Sequence, residues 1–185
     1  MNCSRGTYQR IQWITRTGIL TALLIVLQWA TSGTQVFAGQ YITGSCVNCV
    51  LAVAALFGGL WSGVAVALLS PFCAFLLGNG PALIQLVPCI ALGNVTLVIC
   101  LYLLIGRKSA PVWRQIVGVS VSAAAKFLVL YFAVVKVAIP VMGSALKAPQ
   151  IQKFTAMFSL PQLVTALLGC GAALLILPLL KKGIK

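Results

Sequence analysis

Apolar runs of about twenty residues recur along this chain with only short polar joints between them. A run of that length is what a helix needs to cross a hydrocarbon core about 30 Å thick. Roughly six such runs take up most of the 185 residues, which leaves no room for a separate soluble domain. With 61% hydrophobic residues and a mean hydropathy of +1.09, the chain carries more apolar surface than a soluble fold can hide. Lipid admits only helices and closed barrels, because every backbone donor and acceptor must be satisfied internally. Long unbroken runs are not the alternating pattern of barrel strands. The expected fold is therefore all-α: a single domain, residues 1–185, forming an integral membrane bundle of six transmembrane helices. They are expected at about 13–30, 46–60, 64–77, 84–105, 113–139 and 160–180.

Turn chemistry sets the joints. Residues 31–45 read as a polar and aromatic loop, Gly58-Gly59 with Ser62-Gly63 as a tight joint, and Gly78-Asn79-Gly80-Pro81 as a turn. Residues 106–111 form a basic loop, and residues 141–158 read as a loop carrying Lys147, Pro149 and Lys153. Val36-Phe37-Ala38 has the look of a signal-peptide cleavage site, but the apolar run lies well upstream of it, so an uncleaved first helix is expected.

The thirteen positive charges then orient the bundle. With the N-terminus inside, one face collects Arg5, Arg10, Arg16, Arg107, Lys108, Arg114, Lys181, Lys182 and Lys185, nine of the thirteen. The positive-inside rule places both termini in the cytoplasm and requires an even helix count. Basic residues at helix ends meet anionic lipid rather than nucleic acid.

The chain contains no Asp, no Glu and no His. That removes nearly every general acid or base that works near neutral pH. It also removes the usual ligands of zinc, calcium and magnesium, and the carboxylates of intramembrane proton relays. No metal, no cofactor and no enzymatic role are expected. No phosphate-binding glycine loop is present either, so any transport driven by ATP needs a partner.

Polar residues inside the apolar runs are the candidate site. Asn48, Asn94, Gln162, Lys126 and Lys136 fall in the middle or outer parts of the expected helices, Asn79 lies at the outer turn before helix four, and Tyr41 lies near the same outer level. Unpaired amides and ammonium groups are costly in lipid, so they should face the bundle interior or water. Asn and Gln also serve as hydrogen-bonding glue between helices. Lys126 is mid-helix with no carboxylate anywhere in the chain to neutralise it. Its partner is a set of backbone carbonyls, water, a bound anion or another subunit, unless it carries no charge. A ligand meeting Lys126 or Lys136 would be a carboxylate, a phosphate or an electron-rich ring.

Two further patterns stay open. Cys46-Val47-Asn48-Cys49 is a lone C-x-x-C, readable as packing, as a redox pair or disulfide, or as part of a metal site. Gly18 and Ala22 give a small-x-x-x-small face on helix one, and Gly118, Ser122 and Ala123 give another on helix five. Such faces pack helices within a bundle or dock another protein.

Gly18-Ile19-Leu20-Thr21-Ala22, the glycine-rich joint Leu56-Phe57-Gly58-Gly59-Leu60-Trp61-Ser62-Gly63 and the segment Phe158-Ser159-Leu160-Pro161-Gln162 together bring a family into view. With its size, six helices and inside termini, the chain resembles the substrate-binding S component of energy-coupling factor (ECF) vitamin transporters. The resemblance implies a binder for a vitamin-like small molecule, open to the outside of the cell membrane; the lysines make an anionic or aromatic one the expectation. It implies a partner transmembrane T subunit, docked through Gly18 and Ala22, and two cytoplasmic ATPases. It further implies that residues 31–45 cap the ligand and that outer parts of helices four to six line its site. The competing expectation is a non-transporting structural or assembly subunit of a larger complex, with polar residues as glue and lysines as lipid anchors.

Overall fold

The structure, a computed structural model, describes residues 2–31, 37–78, 80, 83–106, 110–142 and 146–182. Every regular element among them is helical. Helix α1 runs Asn2–Thr31, and its apolar stretch, Arg10–Thr31, is preceded by polar turns. No proline interrupts residues 2–31, so the helix extends well upstream of Trp13, beyond the part that lipid requires.

Helix α2 spans Phe37–Val53 and continues through a π-helical turn at Ala54–Gly58. The expected loop at 31–45 is thus helical from Phe37 onward. Its polar residues find partners that a helix can reach: Thr43 Oγ1 donates to Thr31 Oγ1 at 2.8 Å, and Gln40 Nε2 donates to the Met157 carbonyl at 3.1 Å. Gly59, at φ +93°, takes a backbone shape closed to most L-residues and starts helix α3, Leu60–Leu76. Helix α4 is Leu86–Leu104.

Helix α5, Val112–Leu130, runs on through a π-helical segment, Tyr131–Ala138, into the short α6, Ile139–Val141. Residues 141–158, expected as loop, contain helix α7, Ala148–Met157. Pro149 sits in its first turn, where a missing N–H costs nothing, and the Gln150 side chain accepts from the Lys147 N–H at 3.0 Å. Buried Phe154 anchors it. Helix α8 is Leu160–Lys182.

Among the described residues, five stretches are long and apolar enough to cross a membrane: Arg10–Thr31, Gln40–Gly58, Leu86–Leu104, Val112–Val141 and Ala148–Leu180. Helix α3 is apolar but shorter, at 17 residues. The six main helices close into a ring in the order α1, α3, α4, α5, α8, α2 and back to α1, and α2 also touches α3 and α4. The outward faces are apolar: Ile19 and Val26 on α1, Phe72 on α3, Leu128 on α5 and Leu175 on α8 are all exposed. Exposed apolar surface on this scale belongs against lipid.

The interior holds two apolar clusters. One gathers Leu24, Leu51, Ala55, Val66, Leu97 and Leu101. The other, at the end capped by α7, gathers Leu86, Leu130, Val134, Ile139, Phe154 and Phe158. Polar clasps join α1 to α3, with Thr17 Oγ1 donating to Ser62 Oγ at 2.9 Å and Gln28 Nε2 reaching the Ser70 carbonyl at 3.3 Å.

Candidate functional site

A polar layer crosses the bundle between these clusters. Lys126 on α5 sends its Nζ to Asn48 Oδ1 on α2 at 2.6 Å and to Asn94 Oδ1 on α4 at 2.7 Å. Asn48 Nδ2 donates to Thr165 Oγ1 on α8 at 3.4 Å, and the Thr165 hydroxyl donates to the Gln162 carbonyl at 3.2 Å. Lys126, Asn48 and Asn94 are only 3%, 1% and 2% exposed, so protein groups replace water around the ammonium. Removing an ammonium from water costs several kcal/mol, and short charge-assisted bonds are what offset it.

Close helix crossings put these side chains within reach. A Cβ on Gly169 of α8 would lie 2.3 Å from the Ser45 carbonyl oxygen and 2.7 Å from Asn48 Cβ. Hydrogen alone at that position lets α8 press onto α2, which brings Thr165 to Asn48. A Cβ on Gly93 would meet Leu130 Cγ at 2.6 Å, so the neighbouring Asn94 and Lys126, one turn before Leu130, share a similar approach.

The layer has donors to spare. An ammonium carries three N–H groups, and among the described residues Lys126 uses two. Asn94 accepts through Oδ1, while its Nδ2 has no acceptor among the described residues. Ser45 Oγ, one turn from Asn48 on α2, is buried without a partner among the described residues.

Of the site residues expected from sequence, the structure brings Lys126, Asn48 and Asn94 into contact. Gln162 lies beside the layer: its backbone carbonyl accepts from Thr165, and its side chain donates to the Met157 carbonyl at 3.2 Å. Lys136 does not join. It is exposed on the π-helical segment, with its Nζ 5.9 Å from the centre of the Tyr131 ring. Tyr41 is half-buried near the start of α2. Asn79 lies outside the described residues.

Cys46 and Cys49 are free thiols, as are Cys73, Cys89, Cys100 and Cys170, and no group of three metal-ligating side chains forms among the described residues. Ser45, Gly93 and Gly169 carry no sequence signal of their own. Gly169 is recognisable only once Thr165, four residues earlier on the same face, is known to matter.

The small-residue faces separate. Gly118 packs inside the bundle, where a Cβ would meet Ile105 at 2.6 Å, beside buried Ser122 and Ala123. Gly18 and Ala22 are exposed, and a Cβ on Gly18 would meet nothing within 4 Å. They line a shallow groove of about 430 Å³ with Trp13, Thr21, Ile25 and Leu69. A second shallow groove of about 550 Å³ runs past Trp13, Trp61, Ala65 and Leu68.

The family model described as the substrate-specific component of ECF transporters matches residues 12–181, nearly the whole chain. The chain belongs to this family. No curated protein matches it, and no solved structure does. As a substrate-specific component, this multi-pass membrane protein is a transport subunit, and the polar layer on four of its helices is where its interior chemistry concentrates.

Proposed function

We propose that this substrate-specific component captures a vitamin-like small molecule from the outer side of the cell membrane at the layer formed by Lys126, Asn48, Asn94 and Thr165. It relies on a transmembrane T subunit and two cytoplasmic ATPases for uptake, and it is not itself an enzyme. The observation that carries this reading is the buried Lys126 ammonium, held by amides from two other helices in a chain without a single carboxylate side chain. A charge kept in the bundle at such cost, beside unspent donors, is what a solute site requires.

In this reading α3 is the sixth span. Its 17 residues reach about 25 Å at 1.5 Å per residue, enough with modest thinning of the bilayer. Six spans put both termini in the cytoplasm with the majority of the basic residues. The α7 end then faces outward, and substrate reaches the layer from that side, past Tyr41, Gln162 and the cluster around Phe154. The partner subunit docks against the exposed groove at Gly18 and Ala22, where small residues permit close helix approach.

The second reading is a structural or assembly subunit, and one observation favours it: the bonds of Lys126 are made to groups of its own chain, as interhelical glue would be. Isolation of the tagged protein from its native membranes in mild detergent separates the two. Recovery of a multi-helix membrane subunit with two ATPases is expected. Recovery of a different stable complex, or of the protein alone, refutes the transport reading.

A further inference from the structure

We propose that the substrate is a monocarboxylate with an otherwise uncharged, largely apolar body, its carboxylate bound by Lys126 and its body lodged toward the α7 end. This inference rests on the function proposed above and names the chemistry of the same site.

Charge balance comes first. Lys126 is the one charged side chain bonded within the layer among the described residues. Lys136, Lys147 and Lys153 are exposed, away from it. No acidic side chain exists in the chain to balance the ammonium. A buried single positive charge is best neutralised by a single negative one, since surplus charge of either sign in a low-dielectric interior is costly. A phosphate ester near neutral pH brings more than one negative charge and exceeds what one ammonium balances. A cationic substrate would add a second positive charge beside the first, and a neutral one would leave it unpaired.

The hydrogen-bond inventory agrees. The layer's unspent groups are the third N–H of Lys126 and the Nδ2 of Asn94, both donors, together with the Ser45 hydroxyl, which donates or accepts. A carboxylate accepts only, at about four lone-pair positions, and satisfies donors on several helices at once. A primary amide or amine brings donors of its own into a site already rich in them.

The outward-facing α7 end sets the direction, and the side chains there set the character of the rest. Above the layer, toward α7, lie Leu86, Leu130, Val134, Phe154 and Phe158, an apolar cluster two of whose members are aromatic. A body placed there is surrounded by hydrocarbon and ring edges, so it gains from being apolar or aromatic and loses from a second charge. Leu51, Leu97 and Leu101 below the layer are fully buried, as are Leu86, Leu130 and Val134 above it; the body lies toward α7 because substrate arrives from that end.

The test uses the full-length protein in lipid nanodiscs and four matched probes at millimolar concentration: benzoate, benzamide, benzylamine and benzyl phosphate. Thermal unfolding reports binding, because a ligand of the folded state raises the midpoint. Benzoate is expected to give a saturable rise, with benzamide at least about tenfold weaker and the amine and phosphate without effect. Lys126→Met is expected to abolish the benzoate response; if that variant cannot be purified, Lys126→Gln serves, and the comparison of probes on the wild type stands without either. Equal stabilisation by benzamide or benzylamine, stronger stabilisation by benzyl phosphate, or no response to benzoate overturns the inference. So does an undiminished benzoate response in the variant. None of these touches the transport reading, which stands or falls on recovery of the partner subunits.

Discussion

Breaking the bond between Asn94 and Lys126 tests whether the polar layer is an energetic unit. Asn94→Leu takes one of two acceptors from a buried ammonium, at a contact of 2.7 Å. Hydrogen bonds to charged groups contribute about 1.5–3 kcal/mol. Interhelical polar contacts in membranes average less, because the unfolded chain in lipid also finds partners. About 2 kcal/mol is therefore expected for Asn94→Leu in the wild-type background. In a Lys126→Met background the same change removes an amide whose Oδ1 has already lost its donor, so its cost should fall to about zero. The double-mutant cycle should give a coupling near 2 kcal/mol, well outside the ~0.5 kcal/mol seen for independent sites. Equilibrium unfolding in mixed detergent micelles, followed by circular dichroism, measures all four proteins. A coupling below about 0.5 kcal/mol would mean that the 2.7 Å contact stores no energy. Lys126 would then be held by something other than these amides.

Gly169→Ala places a methyl group against the Ser45 carbonyl and forces α8 from α2; a loss of about 1–3 kcal/mol is expected in the same assay, and unchanged stability would show the crossing to be loose. Gly18→Leu adds a Cβ with nothing within 4 Å among the described residues and points the rest into the open groove, so stability should change by less than about 0.5 kcal/mol while partner subunits no longer co-purify. Full partner recovery with that variant would move the docking surface elsewhere. Lys136→Ala removes an exposed cation over Tyr131 and should leave solute binding as in the wild type; a marked loss of binding would bring Lys136 into the site.

The polar layer was largely legible before any coordinates. Asn48, Asn94 and Lys126 stand out because amides and an ammonium inside apolar runs have few places to go but each other. What sequence could not fix was helix phase. Lys136, ten residues beyond Lys126 in the outer half of the same expected helix, was also a candidate, yet a helix has turned past the same face over that distance, and the intervening π-helical segment shifts the phase again. Residues 37–45 and helix α7 read as loops because their composition is polar. Their helicity comes from contacts remote in sequence, such as Gln40 with the Met157 carbonyl and Phe154 with the cluster at that end. Ser45 and Gly169 were invisible for another reason: serine and glycine are common in membrane helices, and only the proximity of α2 and α8 gives either a role.

The most direct test of the account is the solute held by the protein itself. Wild-type protein, Asn94→Ala and Lys126→Ala would be purified from the native membrane, checked for equal folding, extracted, and compared by mass spectrometry. The account predicts one small molecule enriched with the wild type and depleted in both variants. A solute retained equally by all three proteins, or none with the wild type, would contradict the placement of the substrate at Lys126, Asn48 and Asn94.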